Sequence, residues 1–334
     1  MMDQIYLFVF GLILLIKGGD WFVDSASSIA RRFKLPELLI GATVVSIGTT
    51  LPEVMVSATA AIQGSGGMAY GNAIGSIICN TSLIAATTIA IKPGNVNKKT
   101  LILPVSFFFI AAIFYTLTAY IGERFSLVTG IILLCMFAVY MTLTVLQMKR
   151  TKNEEEEESL KLDADALETE EAPAPILKSI IFLILGAAVI AIGADLLVDN
   201  GIKIAEAVGV PETVISLTFV ALGTSLPELV TAITALLKGH GALSLGNIIG
   251  ANLFNLVLVS GVATVILPFD VPSESMIGSV PTSFVIDIPV MLAVMSLMVI
   301  PALIRGKLSR WQGISLLCIY AGFCAVQFIL PLIA

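Results

Sequence analysis

The sequence predicts an all-α integral membrane protein built from ten transmembrane helices arranged as two inverted-topology five-helix repeats. Composition is the first observation: the 334 residues are 57% apolar and 13% charged, against about 25% charged in globular proteins. Mean hydropathy is +1.00, and apolar runs of about 20 residues recur, each long enough to cross a bilayer. The second observation is a duplicated hexapeptide, Gly48-Thr49-Thr50-Leu51-Pro52-Glu53 and Gly223-Thr224-Ser225-Leu226-Pro227-Glu228, at an offset of 223 − 48 = 175. The third is the distribution of Lys and Arg, which fixes the topology below.

Taken in order, the helices are expected at 5–30, 37–62, 68–91, 100–120 and 125–147, then 176–199, 212–237, 243–267, 282–304 and 311–332. Residues 1–150 form the first half, 151–175 an acidic linker and 176–334 the second half. If the N-terminus is outside, fifteen Lys and Arg fall on inner loops and two, Arg124 and Lys203, on outer ones. Basic residues stay on the cytoplasmic side, so both termini are expected outside a cell membrane and the linker inside. Five helices per half is an odd number, so the second half enters the bilayer upside down. Inverted repeats of this kind place a binding site at their interface and underlie alternating access.

The duplication extends beyond the hexapeptide. Residues 18–83 match 193–258 without a gap at about 25 of 66 positions. The matches include Asp20/Asp195, Asp24/Asp199, Pro36/Pro211, Glu37/Glu212, Asn72/Asn247, Gly75/Gly250 and Asn80/Asn255. Chance likeness between apolar helices would favour Leu, Val and Ala, whereas here polar, Gly and Pro positions agree.

Each hexapeptide puts a carboxylate inside an apolar run, and a charge at membrane depth marks an ion path. Pro52 lacks an N–H, so the Gly48 carbonyl loses its helical partner. Thr49 and Glu53, four apart, share a helix face. Carbonyls, hydroxyls and a carboxylate in a dry place suit a hard cation. In the following helix Asn72, Ser76 and Asn80 lie on one face, matched by Asn247, Ala251 and Asn255. The outer pair, Asn72 and Asn247, reads as interhelical glue. Gly71, Gly75, Gly246 and Gly250 read as close-packing positions, and Asp20, Asp24, Asp195 and Asp199 as interfacial hydrogen-bonding groups. Asp287 has no repeat partner and no assigned role.

The remaining features are bland. The net charge of −6 comes from the linker, where 154–158 are all Glu; a solvated connector accounts for it, and no nucleic-acid partner is expected. Cys79, Cys135, Cys318 and Cys324 lie in apolar runs and read as buried, unpaired thiols. His240 lies in a short Gly-flanked loop and is expected to be solvated. The first apolar run continues past Lys17 into Asp20 and Trp21, unlike a cleavable leader.

The two hexapeptides, with Gly71-Asn72-Ala73-Ile74-Gly75-Ser76 and its second copy, resemble the α-repeats of the cation/calcium exchanger superfamily, above all its prokaryotic sodium/calcium exchangers. The resemblance covers essentially the whole chain. It implies an antiporter, not an enzyme, that exchanges Ca²⁺ for Na⁺ by alternating access, functions as a monomer and needs no cofactor. Glu53 and Glu228 would bind Ca²⁺ with the carbonyls of Thr49 and Thr224. One Na⁺ site would use the Ala221 carbonyl, Ser225, Ser76 and Glu53; its inverted twin would use the Ser46 carbonyl, Thr50 and Glu228. Asn80 and Asn255 would face the centre, and the first and sixth helices would slide past the core. Two departures bear on coupling: Ala251 stands opposite Ser76, and Asn255 stands where relatives can carry Asp. A Ca²⁺/H⁺ antiporter using the same glutamates is therefore the alternative. An intramembrane aspartyl protease fits less well, because Gly193-Ala194-Asp195-Leu196 only partly matches a Gly-x-Gly-Asp pattern. A channel would more naturally use a symmetric ring.

Overall fold

A computed structural model describes residues 2–161, 175–207, 223, 225–273, 276–277 and 279–333. Its helices are α1 (Met2–Arg32), α2 (Glu37–Ile62), α3 (Gly66–Ile91), α4 (Lys98–Gly122), α5 (Leu127–Lys161), α6 (Ile176–Ala207), α7 (Leu226–Leu237), α8 (Gly241–Ile266), α9 (Ser283–Arg305) and α10 (Arg310–Ile333). Among the described residues, eight of these are long and apolar enough to cross a membrane, α7 and α10 being outside that count. Expected and observed ends mostly agree to within a few residues. The exceptions have local causes. Helix α5 runs on through Lys161 into the stretch expected as linker, because glutamate is a good helix former and no Gly or Pro interrupts 151–161. The expected start of α7 at 212 lies outside the described residues; the described helix begins at Leu226, after Ser225 at φ −94° and ψ 6°.

Burial sets the layers. In α8, 83% of the span is buried inside the protein, and in α3 72%, against 28% in α1 and 24% in α6. Helices α3 and α8 are thus the core, while α1 and α6 present apolar side chains such as Phe10, Ile13 and Ile184 outward. An all-apolar exterior is what a bilayer requires. Helices α1 and α6 lie against each other through glycines. A Cβ at Gly18 would stand 2.9 Å from the Ile190 nitrogen, and one at Gly193 2.9 Å from the Gly11 carbonyl oxygen. Small residues let membrane helices approach backbone to backbone.

The loops pair at both ends. Strand β1 (Arg124–Phe125) runs antiparallel to β2 (Phe269–Asp270), with Arg124 opposite Asp270; β3 (Met276–Ile277) and β4 (Val280–Pro281) form a hairpin beside them. At the other end Asn95 bridges Lys307, Lys98 Nζ donates to the Ile304 carbonyl at 2.6 Å, and Arg310 Nε donates to the Ala90 carbonyl at 2.9 Å. Asn95 and Asp270 are 270 − 95 = 175 positions apart, the same offset as the hexapeptides.

Two polar expectations change here. His240 is not simply solvated: its Nδ1 meets Glu37 Oε1 at 2.7 Å, half-buried, joining the α7–α8 turn to the start of α2. The cysteines are free among the described residues, but only Cys79 is buried; Cys135 and Cys318 are exposed on the helix exterior, where an apolar bilayer accepts a thiol as readily as a core does. Asp20 and Asp24 do act as interfacial groups. Lys238 Nζ lies 3.1 Å from Asp20 and 2.8 Å from Asp24, tying α1 to the end of α7. Burial pulls the Lys238 ammonium down, but Asp24 and Asp20 outweigh it and hold the group above its ordinary value.

Candidate ion site between the two repeats

Both hexapeptides end in the interior. Glu53 lies in α2, a continuous helix with Pro52 inside it, and Glu228 lies in the first turn of α7, with Pro227 at the helix start. Both side chains are fully buried, and among the described residues none of their four carboxylate oxygens has a partner within hydrogen-bond geometry. The helices that carry them, α2 and α7, touch each other. Thr49, Thr50, Ser225, Ser46, Ser76, Asn80 and Asn255 are all buried as well. The Thr50 and Ser225 hydroxyls and the Asn80 and Asn255 amide oxygens likewise lack partners. Glu53/Glu228, Thr50/Ser225 and Asn80/Asn255 are repeat-matched pairs (228 − 53 = 225 − 50 = 255 − 80 = 175). Buried polar groups are nearly always bonded, and one unpaired buried carboxylate costs several kcal/mol. Three matched pairs of orphan oxygens describe a cradle for a cation. Ala221 and Thr224 lie outside the described residues.

The backbone is shaped to deliver these groups. Helix α3 changes to a π-helical turn at Asn80–Ala85, and α8 does the same at Asn255–Val259. Each begins at the asparagine of the cradle. Such turns leave carbonyls poorly satisfied and occur often at functional sites. No local composition announced them, so sequence reading had missed them. A further π-helical turn, Gly41–Val45, lies in α2 just ahead of Ser46.

Surrounding bonds hold the cradle without filling it. Ser46 Oγ lies 2.7 Å from the Gly41 carbonyl oxygen and 2.9 Å from that of Asn247, and its one hydrogen serves either. Thr49 Oγ1 donates to Asn247 Oδ1 at 3.2 Å, and Asn255 Nδ2 to the Ala251 carbonyl at 3.0 Å. Asn72 Nδ2 donates to the Glu53 carbonyl at 3.1 Å and to Ser57 Oγ at 2.8 Å. Asn72 and Asn247 are therefore the interhelical glue expected of them. Cys79, next to Asn80, receives a hydrogen bond from Tyr320 at 3.8 Å and so brings α10 to the site, a neighbour the sequence did not point to.

Known proteins share the sequence pattern and the fold. The profile described as sodium/calcium exchanger protein matches residues 4–146 and 178–329, one stretch in each half. The chain belongs to the sodium/calcium exchanger family. It is 33% identical to the sodium/calcium exchanger MaX1 of Methanosarcina acetivorans, with 96% of this chain and 97% of that protein covered. It is 35% identical to a putative antiporter, CaxA, of Alkalimonas amylolytica over 96% of each. Among solved structures, the sodium-calcium exchanger NCX_Mj soaked with Na⁺ and Sr²⁺ superposes with a TM-score of 0.78 at 33% identity, covering 97% of this chain and 98% of that one. Members of the family are transporters, and cation exchange across a membrane is the activity the family supports.

Proposed function

We propose that this protein exchanges Ca²⁺ for Na⁺ by alternating access, through one site shared by the two repeats. The observation that carries the reading is the buried pair Glu53 and Glu228, whose four carboxylate oxygens have no partner among the described residues. Two carboxylates balance one Ca²⁺, a hard cation that takes six to eight oxygens. Glu53, Glu228 and the carbonyls of Thr49 and Thr224 would hold it. When Ca²⁺ leaves, two carboxylates in a dry cradle repel each other, so other cations must enter. One Na⁺ would take the Ala221 carbonyl, Ser225, Ser76 and Glu53; the other would take the Ser46 carbonyl, Thr50 and Glu228. Asn80 and Asn255 would turn their amide oxygens to the centre. Mutually exclusive occupancy is what couples the two fluxes.

In this reading alternating access is performed by ten helices in two inverted halves. Supporting that reading are the two-part family match, the π-helical turns starting at Asn80 and Asn255, and the bridges at Asn95 and Asp270 on opposite ends. Helices α1 and α6 are the moving pair. A cavity of about 830 Å³ lies beside the cradle, bounded by Ile47, Leu51 and Pro52 of α2 and by Ala187, Ala191 and Asp195 of α6. Both termini would lie outside and the linker inside, and a single chain holds the full ligand set.

Uptake of radiolabelled Ca²⁺ into proteoliposomes, under a clamped potential, tests the reading. An outward Na⁺ gradient should drive uptake, and an outward proton gradient alone should not. Equal drive by protons would favour the Ca²⁺/H⁺ reading, in which Glu53 and Glu228 carry the protons.

A further inference from the structure

The outer half contains a second polar pocket that the exchange site does not use. A cavity of about 240 Å³ lies between α3, α9 and α10, and Asp287 of α9 borders it. This is the acid that has no repeat partner. Its carboxylate accepts a hydrogen bond from Gln327 Nε2 of α10 at 3.0 Å, and no ion pair to Asp287 occurs among the described residues. Tyr70, only 3% exposed, borders the same cavity, and among the described residues its hydroxyl has no partner within hydrogen-bond geometry. Thr282 and Ser283 supply two more hydroxyls. The Ser283 hydrogen is spent on the Pro272 carbonyl at 2.9 Å, which leaves its oxygen free to act as a ligand. The wall opposite is bare helix: a Cβ at Gly71 or Gly75 would meet nothing within 4 Å.

We infer that this pocket is a second cation site, for one monovalent alkali-metal ion entering from the outer side. A single carboxylate balances a single positive charge, and neutral oxygens from Tyr70, Ser283 and Thr282 complete a hard-ligand set. A partly buried carboxylate between helices, with no basic partner among the described residues, calls for a counter-charge. The site is distinct from the cradle, so it stands whether or not the exchange reading does.

The test removes the cradle first. Full-length protein carrying Glu53→Gln and Glu228→Gln is purified, and equilibrium binding of radiolabelled Na⁺ and Rb⁺ is measured with N-methyl-D-glucamine as the inert cation. About one monovalent ion per chain should still bind. Adding Asp287→Asn should weaken that binding at least tenfold. Gly75→Val, which fills the cavity and leaves the carboxylate in place, should do the same, and it carries the test if the Asp287 variant does not fold. Absence of monovalent binding once the cradle glutamates are neutralised would overturn the inference. So would binding that neither further substitution weakens.

Discussion

The two repeats place the same motif in different surroundings. In the first, Pro52 interrupts the bonding of a continuous helix; in the second, Pro227 opens one, at a position where its missing N–H costs little. The helices that follow differ in the same way. Gly246 of α8 faces the Leu38 backbone, and Gly250 faces Ser46 Oγ and lies so near α2 that a Cβ would come within 2.6 Å of the Ala42 Cα. Their counterparts Gly71 and Gly75 border open space. The expectation that all four glycines serve close packing therefore holds for the second repeat and fails for the first. Duplicated sequence fixes which groups reach the cradle, while the packing around each copy is set by partners some 200 positions away.

Substitutions can break that comparison or sharpen it. The largest effect is one the copies share: Glu53→Gln and Glu228→Gln should each lower Ca²⁺ uptake at least a hundredfold while thermal melting stays cooperative, because both halves contribute charge to one ion. Near-normal uptake in either would separate the two copies. Next come the prolines. Pro52→Ala restores a bond to the Gly48 carbonyl and should stabilise α2 by up to about 3 kcal/mol, with slower exchange; Pro227→Ala should shift the melting point little. The glycines give a smaller contrast. Gly250→Ala should cost about 1–3 kcal/mol by overpacking against α2, whereas Gly75→Ala should stay within about 0.5 kcal/mol, both read by thermal melting in detergent. Smallest is the hydroxyl asymmetry. Ala251→Ser should raise apparent Na⁺ affinity a few-fold and Ser76→Ala lower it, and an unchanged Na⁺ dependence in both would remove these positions from the ligand set.

The two buried glutamates were legible in the sequence because their signal is local. A proline beside a carboxylate in an apolar run, repeated at a fixed offset, names Glu53 and Glu228 without any tertiary contact. What stayed hidden depends on distant partners or on backbone shape. The Glu37–His240 contact joins residues 203 apart, and Lys238 reaches Asp24 across 214 positions, so no periodicity predicts either. The π-helical turns at Asn80 and Asn255 insert a residue per turn without changing the composition that spells a helix. Asp287 looked idle because its partner, Gln327, lies on another helix.

The most direct test of the central claim is calorimetric titration of Ca²⁺ into the purified protein, with and without Na⁺. One Ca²⁺ should bind per chain, Na⁺ should displace it competitively, and Glu53→Gln or Glu228→Gln should abolish the heat of binding. Ca²⁺ binding that survives both substitutions, or that Na⁺ leaves unchanged, would contradict a single cradle shared by the two repeats.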